Sequence, residues 1–317
     1  MEYSKIKNKP KVLISLTSLT CIEFEQFCKM FTLSLNYKLK YYTLEGKIRQ
    51  RSFKARRNSI FKSTEEMLLF VLSYYKSGSI QEVHALNFSI TQSKANQYIH
   101  FLTPILQQCL ADNNYNPLRN GSLLKNKLEQ LDVCECYIDG TEREIPRSID
   151  YETQKEYYSG KTKKHTVKNN VVSDNEGRIL HLSETYNGKT HDKKILDESM
   201  LNFAKNTVIY LDSGFQGFKY QEGIIIMPTK KRKNKVLTSE EKQENTRIAK
   251  DRVRNEHAIG GIKRLRILKD KVRIWANDFH DVIMEIACGL QNFRVSMRQW
   301  KYPALKTNKQ SYISNSE

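Results

Sequence analysis

A chain of 317 residues that is 39% hydrophobic can bury a full core and has room for two domains, while no apolar run reaches the roughly 18 residues a membrane helix needs. Its 53 Lys and Arg against 35 Asp and Glu leave a formal charge of +18. That surplus calls for a polyanionic partner, nucleic acid first, because each phosphate neutralised releases condensed counterion. The basic segments lack an apolar face that could lie in a bilayer, and the N-terminus lacks a charged-then-apolar leader. A soluble, cytoplasmic, DNA-associated protein without membrane contact is expected. Cys21, Cys28, Cys109, Cys134, Cys136 and Cys288 form no CxxC pair, so they read as reduced thiols, mostly core filler.

Residues 1–62 hold a helix signal at Thr20-Cys21-Ile22-Glu23, a capping box in which threonine and glutamate satisfy each other's orphan donors. The segment then becomes a basic arm, with Lys47, Arg49, Arg51, Lys54, Arg56, Arg57 and Lys62 and no acid among them. It reads equally as a phosphate contact or a solvated linker. Ser63-Thr64-Glu65-Glu66 opens a helix that Gly78 stops. A short apolar segment at 80–86 follows, and Ser89 or Thr91 caps a longer helix carrying Ala95, Tyr98, Ile99 and Leu102. Over 63–112 this order is that of a helix-turn-helix, an ordinary helical bundle being the plainer reading. Its last helix offers Lys94, Asn96 and Gln97 to base edges, hydrogen-bonding types suited to a major groove.

Residues 113–130 are polar, with Pro117 and Gly121, and read as a linker. From 131 to 300 the pattern becomes mixed α/β. Strands are expected at 134–138, 166–173, 178–184, 207–211 and 224–228, with a hairpin turn at Asp174-Asn175-Glu176-Gly177. Helices are expected at 192–203, 239–265 and 278–297. The polar tail 301–317 has no period and is expected to be disordered.

Two apolar runs give way to an acid and then glycine, at Asp139-Gly140 and Asp212-Ser213-Gly214. Each is also an ordinary turn former. On neighbouring parallel strands both carboxylates would emerge at the sheet's carboxyl edge, where α/β folds place ligands. A third acid, Glu256, shares a helix face with Arg252 and Lys263, four residues before and seven after. An ion pair on a solvated face is the plainer reading, and spacing alone does not separate Glu256 from Glu240, Glu241, Glu244 or Asp251. Three carboxylates select Mg²⁺ or Mn²⁺ over zinc, and two such ions about 4 Å apart clamp both oxygens of a phosphoryl displacement. Arg252 and Lys263 would then receive DNA phosphates.

Between the aspartates, the glycine turn Gly160-Lys161-Thr162-Lys163-Lys164-His165 is suited to gripping a DNA end. Asp192 reads as a helix cap, Ser213 as a turn residue, and the run from Lys230 to Lys235 as a phosphate loop or as solvated charge. No Gly-rich phosphate loop is present, so no nucleotide cofactor is expected.

At these residues the sequence resembles transposases of the DDE superfamily, in the insertion-sequence-five and Harbinger-like branch. The matches are Asp139-Gly140-Thr141, Tyr158-Ser159-Gly160-Lys161 with His165 to Lys168, Gly188 to Asp192, Leu211 to Gly217, and Arg252, Glu256 and Lys263. The resemblance implies an RNase H-like mixed sheet, preceded by an all-α helix-turn-helix domain. It puts Asp139 on the first strand, Asp212 after the fourth and Glu256 on a following helix, as catalytic residues and metal ligands. It further implies two Mg²⁺ or Mn²⁺ ions, cleavage at terminal inverted repeats, strand transfer into target DNA, and at least a dimer on paired DNA ends. One departure is visible: the tyrosine of the related bacterial signature falls on Ala249. A domesticated or inactive DNA-binding relative and a stand-alone RNase H-like nuclease are the alternatives.

Overall fold

Hydroxyl-capped starts set the helices of the N-terminal part in the computed structural model, which describes residues 1–53, 59–231, 236–271, 274 and 278–298. Helix α1 (Pro10–Thr17) opens on a proline, whose missing N–H is lost at no cost in a first turn. That proline is the only start signal this helix carries in the sequence. Helix α2 (Cys21–Tyr41) starts at the expected box: Thr20 Oγ1 accepts from Glu23 N at 3.2 Å, and Glu23 Oε2 accepts from Thr20 N at 2.8 Å. Ser63 caps α3 (Thr64–Ser77), and Gly78 closes it at φ +61°. Helix α4 (Gln81–Asn87) follows, and Thr91, not Ser89, caps α5 (Gln92–Asp112). Lys54, Arg56 and Arg57 of the basic arm lie outside the described residues, as do positions 232–235 and the tail 301–317.

The stretch 113–130 is not a bare linker. It contains α6 (Leu124–Gln130), because Leu124 and Leu128, one turn apart, are both fully buried. After it, β1 (Glu135–Glu144) begins a mixed sheet. It continues through the short helix α7 (Tyr151–Tyr157), β2 (Tyr158–Ser159), β3 (Lys164–Asp174), β4 (Ile179–Leu182), β5 (Tyr186–Asn187), α8 (Asp192–Glu198), β6 (Val208–Tyr210) and β7 (Ile224–Ile226). β3 lies antiparallel between β1 and β4; β6 and β7 run parallel to β1 on its other side. This is the RNase H-like sheet, and β6 is the fourth of its strands longer than two residues. Among the described residues three helices follow: α9 (Ser239–Ile262), α10 (Arg266–Lys269) and α11 (Phe279–Met297).

The sheet buries both faces, as alternation along each strand requires. Cys136, Ile138, Ile209 and Leu211 pack with α6 and α8; Tyr137, Tyr210 and Ile226 meet Ile248 of α9. The N-terminal helices share a third apolar cluster with α10, α11 and Val171 of the sheet. Polar ties cross the same boundary: Lys76 Nζ donates to the Arg264 carbonyl at 2.9 Å, and Gln107 Nε2 to Glu285 Oε2 at 2.7 Å. No helix among the described residues is long and apolar enough to cross a membrane.

His84, 2% exposed, lies among the rings of Phe70, Tyr74 and Phe88. Burial pushes its pKa down to about 4. A histidine lowered on folding binds fewer protons than in the unfolded chain, so its contribution to stability falls as pH drops from about 6.5 toward 4. We expect wild type to lose melting temperature relative to His84→Leu as the buffer goes from pH 7 to pH 5. Comparing the two proteins cancels the other titrating groups, and a constant difference between them would contradict a buried neutral His84.

Candidate active site

Register and parity fix where the two aspartates stand. β1 and β6 pair in parallel from Glu135 opposite Val208 to Tyr137 opposite Tyr210. Asp139 and Asp212 each lie two residues further on, hence at the same level and on the same face as the tyrosines. The tyrosine rings stack at 4.8 Å beneath them on the side that α9 covers. Each aspartate turns one oxygen to its own neighbour: Gly140 N donates to Asp139 Oδ1 at 2.8 Å, and Ser213 N to Asp212 Oδ1 at 2.7 Å.

Asp139 does not end its strand. β1 runs on to Glu144, with Asp139 opposite Val171 and Gly140 opposite Asn170. Gly140 therefore serves a packing purpose, not a turn. A Cβ there would stand 3.0 Å from Asp192 Cγ, and one on Gly214 would stand 3.9 Å from Asp192 Oδ2. Asp192 is likewise not a cap, since His191 occupies that position and Asp192 is the first residue of α8. Its side chain lies against the glycines that follow both aspartates and pairs with buried Lys168 at 3.5 Å. Lys168 also pairs with Glu142 at 3.0 Å. The sequence offered one signal for this role, the recurrence of Asp-Gly and Asp-Ser-Gly: small residues beside an acid mark close approach as well as turns.

Helix α9 brings the cations. Arg252 Nη1 reaches Asp212 Oδ1 at 3.3 Å. The Asp139 carboxyl is raised above its usual range, chiefly by burial and further by the charge of Asp212. Arg252, the Gly140 N–H and Lys161 oppose the rise. Burial lowers the Lys263 amine, and the charge of Asp139 opposes that shift. Arg252, Lys161 and Lys263 thus surround the aspartate pair electrostatically. Lys163 and Lys164 are exposed on the same turn, Lys164 pairing with Glu144 at 2.6 Å, while His165 stands edge-on to Tyr158.

Three other acids of α9 are accounted for. Glu241 closes a capping box with Thr238, Glu244 pairs with Arg247, and Asp251 feels Glu135, the first residue of β1. Glu256 is exposed, one turn beyond Arg252 on the face that Arg252 and Lys263 share. Among the described residues no group of three His, Cys, Asp or Glu could hold a metal ion, so Glu256 is not gathered with the two aspartates. The pair by itself suits a hard divalent cation: its oxygens come from two half-buried carboxylates, each two residues beyond the paired tyrosines. On the helix-turn-helix, Lys94 is exposed, whereas Asn96 and Gln97 are half-buried.

The Asp192 contact predicts a coupling. Gly140→Ala drives a methyl into the Asp192 carboxyl, and overpacking of this kind costs about 1–3 kcal/mol. In urea titrations Gly140→Ala should be destabilised, and Asp192→Ala should recover most of the loss within a double-mutant cycle. Additive effects would place Asp192 away from Gly140.

Residues 138–292 match the DDE superfamily endonuclease family, and residues 63–112 match the helix-turn-helix of DDE superfamily endonucleases. A curated relative, the probable transposase for insertion sequence element IS702 of Microchaete diplosiphon, is 23% identical over 281 residues, covering 88% of this chain and 97% of that protein. No solved structure matches. The chain carries a DDE superfamily endonuclease domain preceded by the helix-turn-helix of that superfamily.

Proposed function

We propose that the chain is a DNA transposase of the insertion-sequence-five and Harbinger-like branch, which binds the terminal inverted repeats of a mobile element, cleaves there and joins the ends to target DNA. The observation that carries this reading is the placing of Asp139 and Asp212 each two residues beyond the paired Tyr137 and Tyr210 of parallel β1 and β6, beside a helix whose Arg252 reaches Asp212 and at whose end Lys263 feels Asp139. Asp139 and Asp212 would hold Mg²⁺ or Mn²⁺, with Glu256 as the further ligand. When bound, two such ions would activate an attacking oxygen and stabilise the leaving one. The chain's own residues position the substrate. Arg252 and Lys263 receive phosphates beside the scissile bond, and Lys161, Lys163, Lys164 and His165 grip the flanking backbone. Lys94, Asn96 and Gln97 face bases of the repeat. Joining two ends requires at least two copies of the chain.

A second reading, a relative that binds DNA without cutting, is favoured by one observation: Glu256 is not grouped with the aspartates among the described residues. One experiment separates the two. Supercoiled plasmid carrying the element's own ends is incubated with full-length protein and Mg²⁺. Wild type should nick and join at the ends, while Asp139→Ala and Glu256→Ala should abolish both and still retard the DNA in a gel. Binding without cleavage by wild type supports the second reading, and cleavage indifferent to the ends supports a plain nuclease. Cutting by Asp139→Ala at the wild-type rate would overturn the assignment of the site.

A further inference from the structure

The chain leaving α2 folds back on itself before the helix-turn-helix begins. Tyr42 and Ile48 form an antiparallel bridge; Thr43 N donates to the Lys47 carbonyl at 2.8 Å, and Arg49 N to the Tyr41 carbonyl at 2.8 Å. Gly46 makes the turn at φ +78°, a left-handed conformation that a side chain would oppose. Cation–ring contacts brace the hairpin: Lys38 Nζ lies 4.2 Å from the Tyr42 ring centre, and the Arg49 guanidinium 5.1 Å from that of Phe53.

The tip of this hairpin touches α5. Gln97 Nε2 donates to Glu45 Oε1 at 2.6 Å. On the other flank of the same two turns, Gln81 of α4 accepts from Gln92 at 2.6 Å and from Asn96 at 3.1 Å. Exposed Ser93 and Lys94 therefore lie on a ridge with α4 on one side and the hairpin on the other. The one acid at the tip, Glu45, is engaged by Gln97, while Lys47 is exposed and Ile48 is 78% exposed. Neither Lys47 nor the Ile48 side chain contributes to the clamp on α5.

We propose that the hairpin Tyr41 to Arg49 is a DNA-contacting wing, in which Lys47 and Arg49 donate to backbone phosphates of the same duplex that α5 reads. The inference rests on α5 being the recognition helix. A major groove is about 12 Å wide, so a hairpin hydrogen-bonded to the helix inside it meets the strand at the groove's edge. Its cations then fix register, while exposed Ser93 and Lys94 face the bases.

The test uses full-length protein and a labelled duplex selected from a random-sequence library on wild type, followed by fluorescence anisotropy over a salt series. Each phosphate contact contributes about 0.9 to the slope of log affinity against log salt. Lys47→Ala with Arg49→Ala should bind more weakly and lower that slope by about two. Lys47→Ala alone, at an exposed position that leaves the fold intact, should lower it by about one. Unchanged slopes in both variants, with Lys94→Ala still weakening binding, would overturn the wing and leave the recognition helix standing. Wild type that retains no duplex from the library would overturn the recognition helix and the wing together.

Discussion

The parallel pairing of β1 with β6 is the constraint on which the site depends. A slip of one residue would turn Asp139 into the apolar face where Ile138 now packs with Leu211, and would bring Ile138 toward α9. The stacked rings of Tyr137 and Tyr210 resist such a slip, since both are buried and both sit on the face that Ile248 closes. The register thus keeps two negative charges side by side. Burial and the neighbouring Asp212 both disfavour an ionised Asp139, and surrounding cations offset them. A carboxylate held at such a cost, beside a second one and under three cations, is more readily explained by chemistry than by stability.

The rotation of α9 is set from its buried side. Asn255 and Ser173 share a buried hydrogen bond of 2.9 Å, and Ala258, Ile259 and Ile262 pack around it. With that side fixed, Arg252, Glu256 and Lys263 follow the edge of the helix next to it, which brings Arg252 to Asp212 just past the end of β6. The Arg252–Asp212 bridge itself is partly exposed, with Asp212 side-chain exposure at 38%, and bridges of that kind contribute about 1 kcal/mol or less. Packing, and not that ion pair, positions the helix, and Arg252 is free to exchange Asp212 for a phosphate.

What the sequence revealed follows from how local each signal is. Capping at Thr20, Ser63 and Thr91 and the turn before Gly177 involve residues within four positions, so their chemistry is visible in the string. Asp139-Gly140 was misread as a strand end because the reason for its glycine, the Asp192 carboxyl, is more than fifty residues away in sequence. For the same reason Asp192 passed as a helix cap. The 113–130 segment looked like a linker since its polar residues outnumber two leucines whose burial depends on the distant Phe203 and Leu211 cluster. Asp212 and Glu256 were legible as residues, but whether three acids meet depends on how α9 lies over the sheet, which no spacing encodes.

That α6 anchors Leu124 and Leu128 in the core bears on how the two ends of the molecule work together. A flexible tether would let the helix-turn-helix search independently of the catalytic sheet. Here α5 packs on α11, α3 packs on α10, and Lys76 bonds the Arg264 carbonyl just past the end of α9. Asn116, between α5 and α6, donates to Glu285 of α11 at 3.1 Å, and Arg298 holds buried Glu23 of α2 at 2.7 Å. The elements that carry Lys94 and those that carry Arg252 are therefore joined by continuous packing and by these three side-chain ties, not by a strand of linker. Under the proposed function, DNA seated on α5 would be presented to Asp139 and Asp212 at a distance the core determines, and a change in that distance would require repacking of α10 and α11.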